Sequence, residues 1–429
     1  MKKSRLAPLV ALAASALLLT GCGVNAGNSD SGSSAGASGE ITGKISFQTW
    51  NLKANFQEYF EGVVDDFEAE YPGTEVTWID QPAEGYADKL SADAAAGTLP
   101  DVVNLDPGTG YPLAQAGMLV NLAEADPEAA EQYLPEAWEA MDWKALGGNF
   151  GYPWYLNTGP SLFNKALFTE AGMDPETLPS SYDELFEQAG TMAKTAAGKY
   201  AMLGRTPNIE VFGMYGVELM NKDQTEFTFN NSKGVELVER YIKLYNEGAF
   251  LPESLSQDYT GVDKSFQAGK IAFMPGSAYN VTQIEENAPS IYENLAIEPI
   301  ITNEKPNMYI QLVAVSEASK NKATAQAFAK FVTNAQNQLN FAKVVNIFPS
   351  TVGTLDDPFF TETDGTSNSE VRAMSAAQIK DAVVYSPASF TEPMKSELRD
   401  QLAQAMLGEK SAQEALDAVV EYSNARLSN

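Results

Sequence analysis

Between residues 44 and 105 the chain switches between two hydrophobic periods, and that alternation limits the fold more than any other feature. Lys44-Ile45-Ser46-Phe47-Gln48-Thr49 alternates as a half-buried strand does. From Phe56 the apolar residues Tyr59, Phe60, Val63, Val64 and Phe67 recur at i+3, i+4, i+7, i+8 and i+11, one face of a helix. Pro72-Gly73 stops that helix, and Glu75-Val76-Thr77-Trp78-Ile79 reads as a second strand, with Trp78 in its core. A helix through Tyr86, Leu90 and Ala94 runs to Gly97, and Asp101-Val102-Val103-Asn104-Leu105 is a third, apolar strand. Parallel strands need a crossover, usually a helix, so strand-helix-strand-helix-strand predicts an α/β fold with a parallel sheet.

The rest of the chain uses the same vocabulary with more helix. Helices are predicted over 182–195, over 232–247 with Val238, Tyr241, Ile242 and Tyr245 on one face, and over 323–341 with Ala327, Phe328, Phe331 and Val332. Ile271-Ala272-Phe273-Met274 reads as a short buried strand, and 397–427 as helix with a turn at Leu407-Gly408-Glu409. Trp138 and Trp143 fall in a helical stretch before Gly147-Gly148 and are expected to pack. No internal repeat is present, and 429 residues are too many for one core, so two lobes are predicted.

The amino-terminal segment points outside the cytoplasm. Lys2, Lys3 and Arg5 precede an apolar run from Leu6 to Leu19, the pattern of a secretory signal peptide over 1–21 and too short to span a bilayer. Cys22, the single cysteine, rules out an internal disulfide; Leu19-Thr20-Gly21-Cys22 resembles the lipobox of bacterial lipoproteins, which implies a lipid on Cys22 and a membrane anchor. Residues 22–40 are rich in Gly, Ser, Ala and Asn and read as a flexible linker. The formal charge is −29, and removing 1–21 takes away three positive and no negative groups. Such an acidic chain is not expected to bind nucleic acid or anionic headgroups.

The chain has no histidine, which excludes Ser-His-Asp and Cys-His nucleophile systems and the commonest nitrogen ligand of zinc. No GxxxxGK[ST] loop is present, nor a GxGxxG after the first strand. Around 362–368 a near-match to a calcium loop has Phe360 and Val371 where carboxylates belong. Neither metal nor cofactor is expected. With 57 Asp and Glu, some carboxylate pair will always suggest glycoside hydrolysis, but no motif singles one out.

What remains is position. Ligands of open α/β sheets bind beyond the carboxyl ends of the strands. Trp50 and Asn51 follow the first strand, Gln81 the second and Asp106 the third, while Ser277 and Tyr279 follow the strand at 271–274. Rings, amides, a carboxylate and a hydroxyl suit a sugar, whose C–H face lies on an aromatic ring and whose hydroxyls both donate and accept. Each candidate has a structural alternative: Asp106 can cap the turn at Pro107-Gly108, and Tyr279 can be buried under the helix that follows.

Several segments together resemble the extracellular solute-binding proteins of ABC-type sugar importers, the group that includes maltodextrin-binding proteins. They are Leu99-Pro100-Asp101-Val102-Val103, Ala116-Gly117-Met118-Leu119-Val120-Asn121-Leu122, Gly151-Tyr152-Pro153 with Leu162-Phe163-Asn164-Lys165, Ala171-Gly172-Met173, Ser265 to Met274, and Phe348-Pro349-Ser350. The resemblance implies a type II periplasmic-binding-protein-like fold whose two lobes enclose the ligand: lobe one at 41–153 plus 306–346, lobe two at 154–305 plus 347–429. It also implies a monomeric receptor, not an enzyme, that closes on a mono- or oligosaccharide and docks on a permease at the outer face of the cell membrane. A cationic solute such as a polyamine, and a surface glycan-processing enzyme, are the alternatives. Residues 151–159, GYPWYLNTG, then fall at the first crossing between lobes. In an extended strand Trp154 and Tyr155 point to opposite faces; Trp154 is expected to face the sugar and Asn157 to meet a hydroxyl.

Overall fold

The computed structural model describes residues 39–256 and 259–427. The signal segment 1–21, Cys22 and all but the last two residues of the linker lie outside the described residues. Strands β1 (Gly43–Trp50), β2 (Thr74–Gln81) and β3 (Val102–Leu105) are joined by the helices Lys53–Glu70 and Tyr86–Ala95 and pair in parallel, β1 in the middle. The short strands β4 (Asp142–Trp143) and β5 (Gly148–Asn149) make a separate ladder. Strand β6 (Tyr152–Asn157) leads out of this half.

The second half holds β7 (Ser161–Asn164), β8 (Phe273–Pro275) and β9 (Leu295–Glu298), an antiparallel sheet with β7 central. Strand β10 (Tyr309–Val315) returns and lies between β3 and β6, antiparallel to both, and β11 (Phe348–Pro349) pairs with β6 at the edge. The large sheet therefore runs β11-β6-β10-β3-β1-β2.

Each half has its own apolar core. In the first, Phe47 of β1, Phe60 and Phe67 of the helix Lys53–Glu70, and Phe328 and Phe341 meet at ring distances of 5.0–5.2 Å. Phe60, Val63 and Phe67 are the buried residues of the predicted helical face. In the second, Tyr182, Phe186 and Tyr241 pack with Leu398 and Leu416 of the closing helices Glu392–Met406 and Ala412–Leu427. The helix predicted over 323–341 is two, Lys322–Val332 and Ala335–Val344. Asn334 interrupts it: its side chain accepts from Asn337 N at 2.8 Å and starts the second helix.

Two boundaries differ from those the resemblance implies. Trp154 and Leu156 belong to the first core and β6 continues to Asn157, so the first crossing comes after 157 rather than at 153. Phe348 and Pro349 pair with Leu156 and Tyr155, and the first core takes in Phe360, Ile379 and Ala382, so the chain stays with lobe one well past 346. The second core resumes at Phe390. The helix Ser367–Ile379 joins the halves, with Val371 packed among second-half residues and Ala376 and Ile379 among first-half ones.

Gly159 shows how tightly the first crossing is held. A Cβ there would collide with the Gly276 carbonyl, and Gly276 N–H donates to Pro160 O at 2.9 Å. Only a residue without a side chain lets the two backbones meet.

The two rings of the first crossing do not alternate. Pro153 pairs with Leu312 and Leu156 with Ile310, so Trp154 and Tyr155 together oppose the single residue Gln311, a β-bulge. Both rings consequently lie against Phe341, at 5.7 and 6.0 Å. Trp154 is 1% exposed and also edges Phe47 and Phe60. The expectation that Trp154 faces the ligand is corrected: it is a core residue of lobe one. Truncating a buried Trp costs about 3–5 kcal/mol, so Trp154→Ala should lower the urea-unfolding free energy by about that amount. A loss below about 1 kcal/mol would contradict this packing role.

Candidate functional site

The strand directions gather most of the candidates on one edge. Strands β1, β2, β3 and β6 all end there, and β10 begins there. Trp50 and Gln81 are register partners at the ends of β1 and β2, and Asn51 N–H donates to Gln81 O at 2.8 Å. Asn51 has φ 55°, a left-handed turn that Asn tolerates better than most residues. Trp50 is half-buried, its ring 6.3 Å from that of Tyr86. The Tyr86 hydroxyl donates to Asn104 O at 2.8 Å, and burial pushes its phenol up, with Asp80 and Asp106 adding to the shift. Asp80 is already spent: its oxygens accept from Leu52 N, Lys53 N and Thr49 Oγ1.

Asp106 is exposed at this edge and caps the helix Pro107–Gln115, accepting from Thr109 N at 3.1 Å and Thr109 Oγ1 at 2.7 Å. Tyr155 is half-buried against Trp154 and Phe341, and burial pushes its phenol up. Asn157 is exposed and is the register partner of Tyr309, the first residue of β10. Tyr309 is 52% exposed. The reading of the sequence missed it, although it follows directly on the second predicted crossing at 305–306.

Below Asn157 and Tyr309 a cavity of about 380 Å³ opens into the second half. Ser277 lines it and caps the helix Ala278–Asn287, its hydroxyl donating to Asn280 Oδ1 at 2.6 Å. Tyr279 does not line it; it stands 69% exposed on the first turn of that helix. Leu203, Met214, Val262, Phe273 and Ile301 give the cavity apolar walls. Its charged residues are Arg205 and Glu210, one of each sign, and neither makes an ion pair or hydrogen bond among the described residues. Tyr182 and Tyr241 also line it; burial pushes both phenols up, so they remain neutral O–H groups. No local motif marks Arg205, Glu210 or the two tyrosines, which come from separate segments and meet only in the fold.

A second hollow of about 430 Å³ lies between 136–143, 219–224 and 383–389. No strand end of the six-stranded sheet borders it, so the cavity at the crossings is the better ligand candidate. Among the described residues no cluster of three or more Asp, Glu, His or Cys could hold a metal ion, and no helix is long and apolar enough to cross a membrane. The segment resembling a calcium loop is the start of the helix Ser367–Ile379: Asp364 accepts from Thr366 N and Thr366 Oγ1, and the Ser369 hydroxyl first, then these Thr366 bonds, hold its carboxyl low.

Of the sequence candidates Asn157 and Ser277 line the cavity, and Trp50, Asn51, Gln81, Asp106 and Tyr155 do not. A half-buried ring and polar groups at the carboxyl edge of a parallel sheet, and a cavity at the paired crossing strands, suit a two-lobed binding protein. The family model for bacterial extracellular solute-binding proteins matches residues 53–339, and the chain belongs to that family. Members of that family are extracellular proteins that bind solutes. A protein of Synechococcus sp. MITs9220, provisionally assigned as an oligosaccharide periplasmic-binding protein, superposes with a TM-score of 0.79 at 28% identity over 90% of this chain and 99% of that one. The GacH receptor of Streptomyces glaucescens, solved unliganded and with acarbose, shares the fold with a TM-score of 0.68 at 20% identity over 91% of this chain and 100% of its own. A protein of Brucella abortus (strain 2308) provisionally named a binding protein is 23% identical over 73% of this chain and 77% of its own.

The capping role of Asp106 is testable. Asp106→Ala should cost about 0.5–2 kcal/mol of stability through the lost cap, whereas Asp106→Asn, which can still accept from Thr109 N, should cost less in thermal unfolding.

Proposed function

We propose that this protein is a carbohydrate receptor that captures a neutral mono- or oligosaccharide between its lobes and delivers it to the permease of an ABC importer. The observation that carries the reading is the cavity at the crossing strands: charge-balanced, apolar-walled, with hydroxyl, amide, carboxylate and guanidinium groups converging on it. A polyamine would need several carboxylates there, and Glu210 is the single acid, balanced by Arg205. The resemblance to a protein assigned to oligosaccharides supports the same class.

In this mechanism the ligand first meets one lobe, then draws the other down, because only the closed form offers it both the Trp50–Asp106 edge and the cavity beneath Asn157. The crossings act as the hinge, absorbing the rotation in a few backbone torsions. A closed receptor presents the surface that a permease recognises. Cys22, lipidated, tethers the receptor to the outer face of the membrane through the 22–40 linker.

Titrating the purified protein with mono- and oligosaccharides should give a saturable change in tryptophan fluorescence with one sugar family and no release of reducing ends. Trp50, the half-exposed indole at the edge, is the expected reporter, so Trp50→Phe should remove most of the change and weaken binding. A response to spermidine alone, or turnover of the glycan, would sink the proposal.

A further inference from the structure

Glu210, Arg205, Tyr182 and Tyr241 make the cavity more selective than a general sugar cleft. Glu210 is 7% exposed and lines the cavity, yet its carboxylate has no hydrogen-bond or ion-pair partner among the described residues. The hydroxyls of the buried Tyr182 and Tyr241 likewise have none. Buried polar groups are normally matched, because leaving them unmatched is costly. Glu210 and the two phenols, with the half-buried Arg205, therefore line the cavity open to a partner that both donates and accepts.

The shape limits that partner. Tyr182, Tyr241, Leu203, Val262 and Ile301, all buried, line the cavity together with Asn157 and Tyr309. Arg205 and Glu210 also face a smaller hollow of about 200 Å³ beside Lys395 and Arg399, so they form the partition between the two. At about 380 Å³ the main cavity sits at the small end of the ligand-pocket range, roughly 300–1,000 Å³. That volume has room for a ring or two and is too small for a long chain.

We infer that the cavity is an end pocket: it engulfs the terminal ring of a neutral sugar chain, one hydroxyl donating to Glu210 and a neighbouring one accepting from Arg205, while the remaining rings leave past Tyr309 toward Trp50. The tyrosine hydroxyls take further hydroxyls of the same ring, and Met214 and Phe273 cover its C–H faces. The receptor thus recognises a chain by its end. This rests on the carbohydrate reading above.

The test is isothermal titration of the full-length protein with linear gluco-, xylo- and manno-oligosaccharides, followed by end-modified forms of the best binder. One form is reduced to the alditol at the reducing end, another is capped by a benzylidene acetal at the other end, and a cyclic oligosaccharide serves as the endless control. One end modification should weaken binding roughly tenfold or more while the other changes it less than about twofold, and the cyclic sugar should not bind. Glu210→Gln should weaken the unmodified sugar by roughly tenfold or more while leaving the unliganded melting temperature equal or higher, since it removes an unpaired buried charge. A purely structural role would lower the melting temperature and spare affinity. Tyr241→Phe, which deletes one hydroxyl, decides the matter should Glu210→Gln fail to fold; it should lower affinity and keep the fold. Equal tolerance at both ends, tight binding of the cyclic sugar, or wild-type affinity in the substituted proteins overturns the end pocket and leaves the sugar receptor standing. Absence of binding to every sugar overturns both.

Discussion

The ladder between β6 and β10 organises the molecule. Because β10 is antiparallel to both β3 and β6, the residues of β10 that precede Leu312 and those of β6 that follow Pro153 run past the point where β3 ends at Leu105. Two chain segments therefore leave the sheet side by side, paired up to Asn157 and Tyr309, at the same edge where β1 and β2 deliver Trp50 and Gln81. Beyond the last pair, Thr158 Oγ1 donates to Asn307 O at 2.8 Å and keeps the crossings in register. Shift this ladder by one residue and the cavity mouth loses both its amide and its ring.

The bulge at Trp154 and Tyr155 serves that geometry. It turns two rings onto Phe341 where an ideal strand would send one outward. Packing them together gives β6 a firm seat on the lobe-one core, and the aromatic surface presented at the mouth comes from Tyr309 on the neighbouring strand. A phenol suits an exposed place of this kind better than a buried indole does, since it joins an apolar ring to a polar tip.

The architecture was legible in the sequence because it rests on local periodicity. The strands at 44–49, 75–79 and 101–105 and the face of Phe60, Val63 and Phe67 follow from spacing alone. Asn334 was the overlooked signal in the split helix, a cap residue inside an apolar pattern. Of the candidate site, only the shared edge of its lobe-one positions was legible, because position after a strand predicts placement there. Trp154 was misjudged because strand alternation holds only without a bulge, and a bulge depends on the partner strand. Arg205, Glu210, Tyr182 and Tyr241 lie on a loop and three separate helices, and nothing local marks their convergence.

Charge sharpens the reading of the cavity. A chain with formal net charge −29 has a field that concentrates cations near its surface, and an acidic cleft would deepen that preference. The cavity does the opposite, setting one guanidinium against one carboxylate and filling the rest of its polar wall with neutral hydroxyls and amides. A cation drawn in by the field would meet Arg205, and an anion would meet Glu210, each in a confined space where desolvation is costly. A neutral ring of hydroxyls would satisfy both groups at once, so the balance within the cavity, rather than the acidity of the whole chain, is what supports the proposed class of solute.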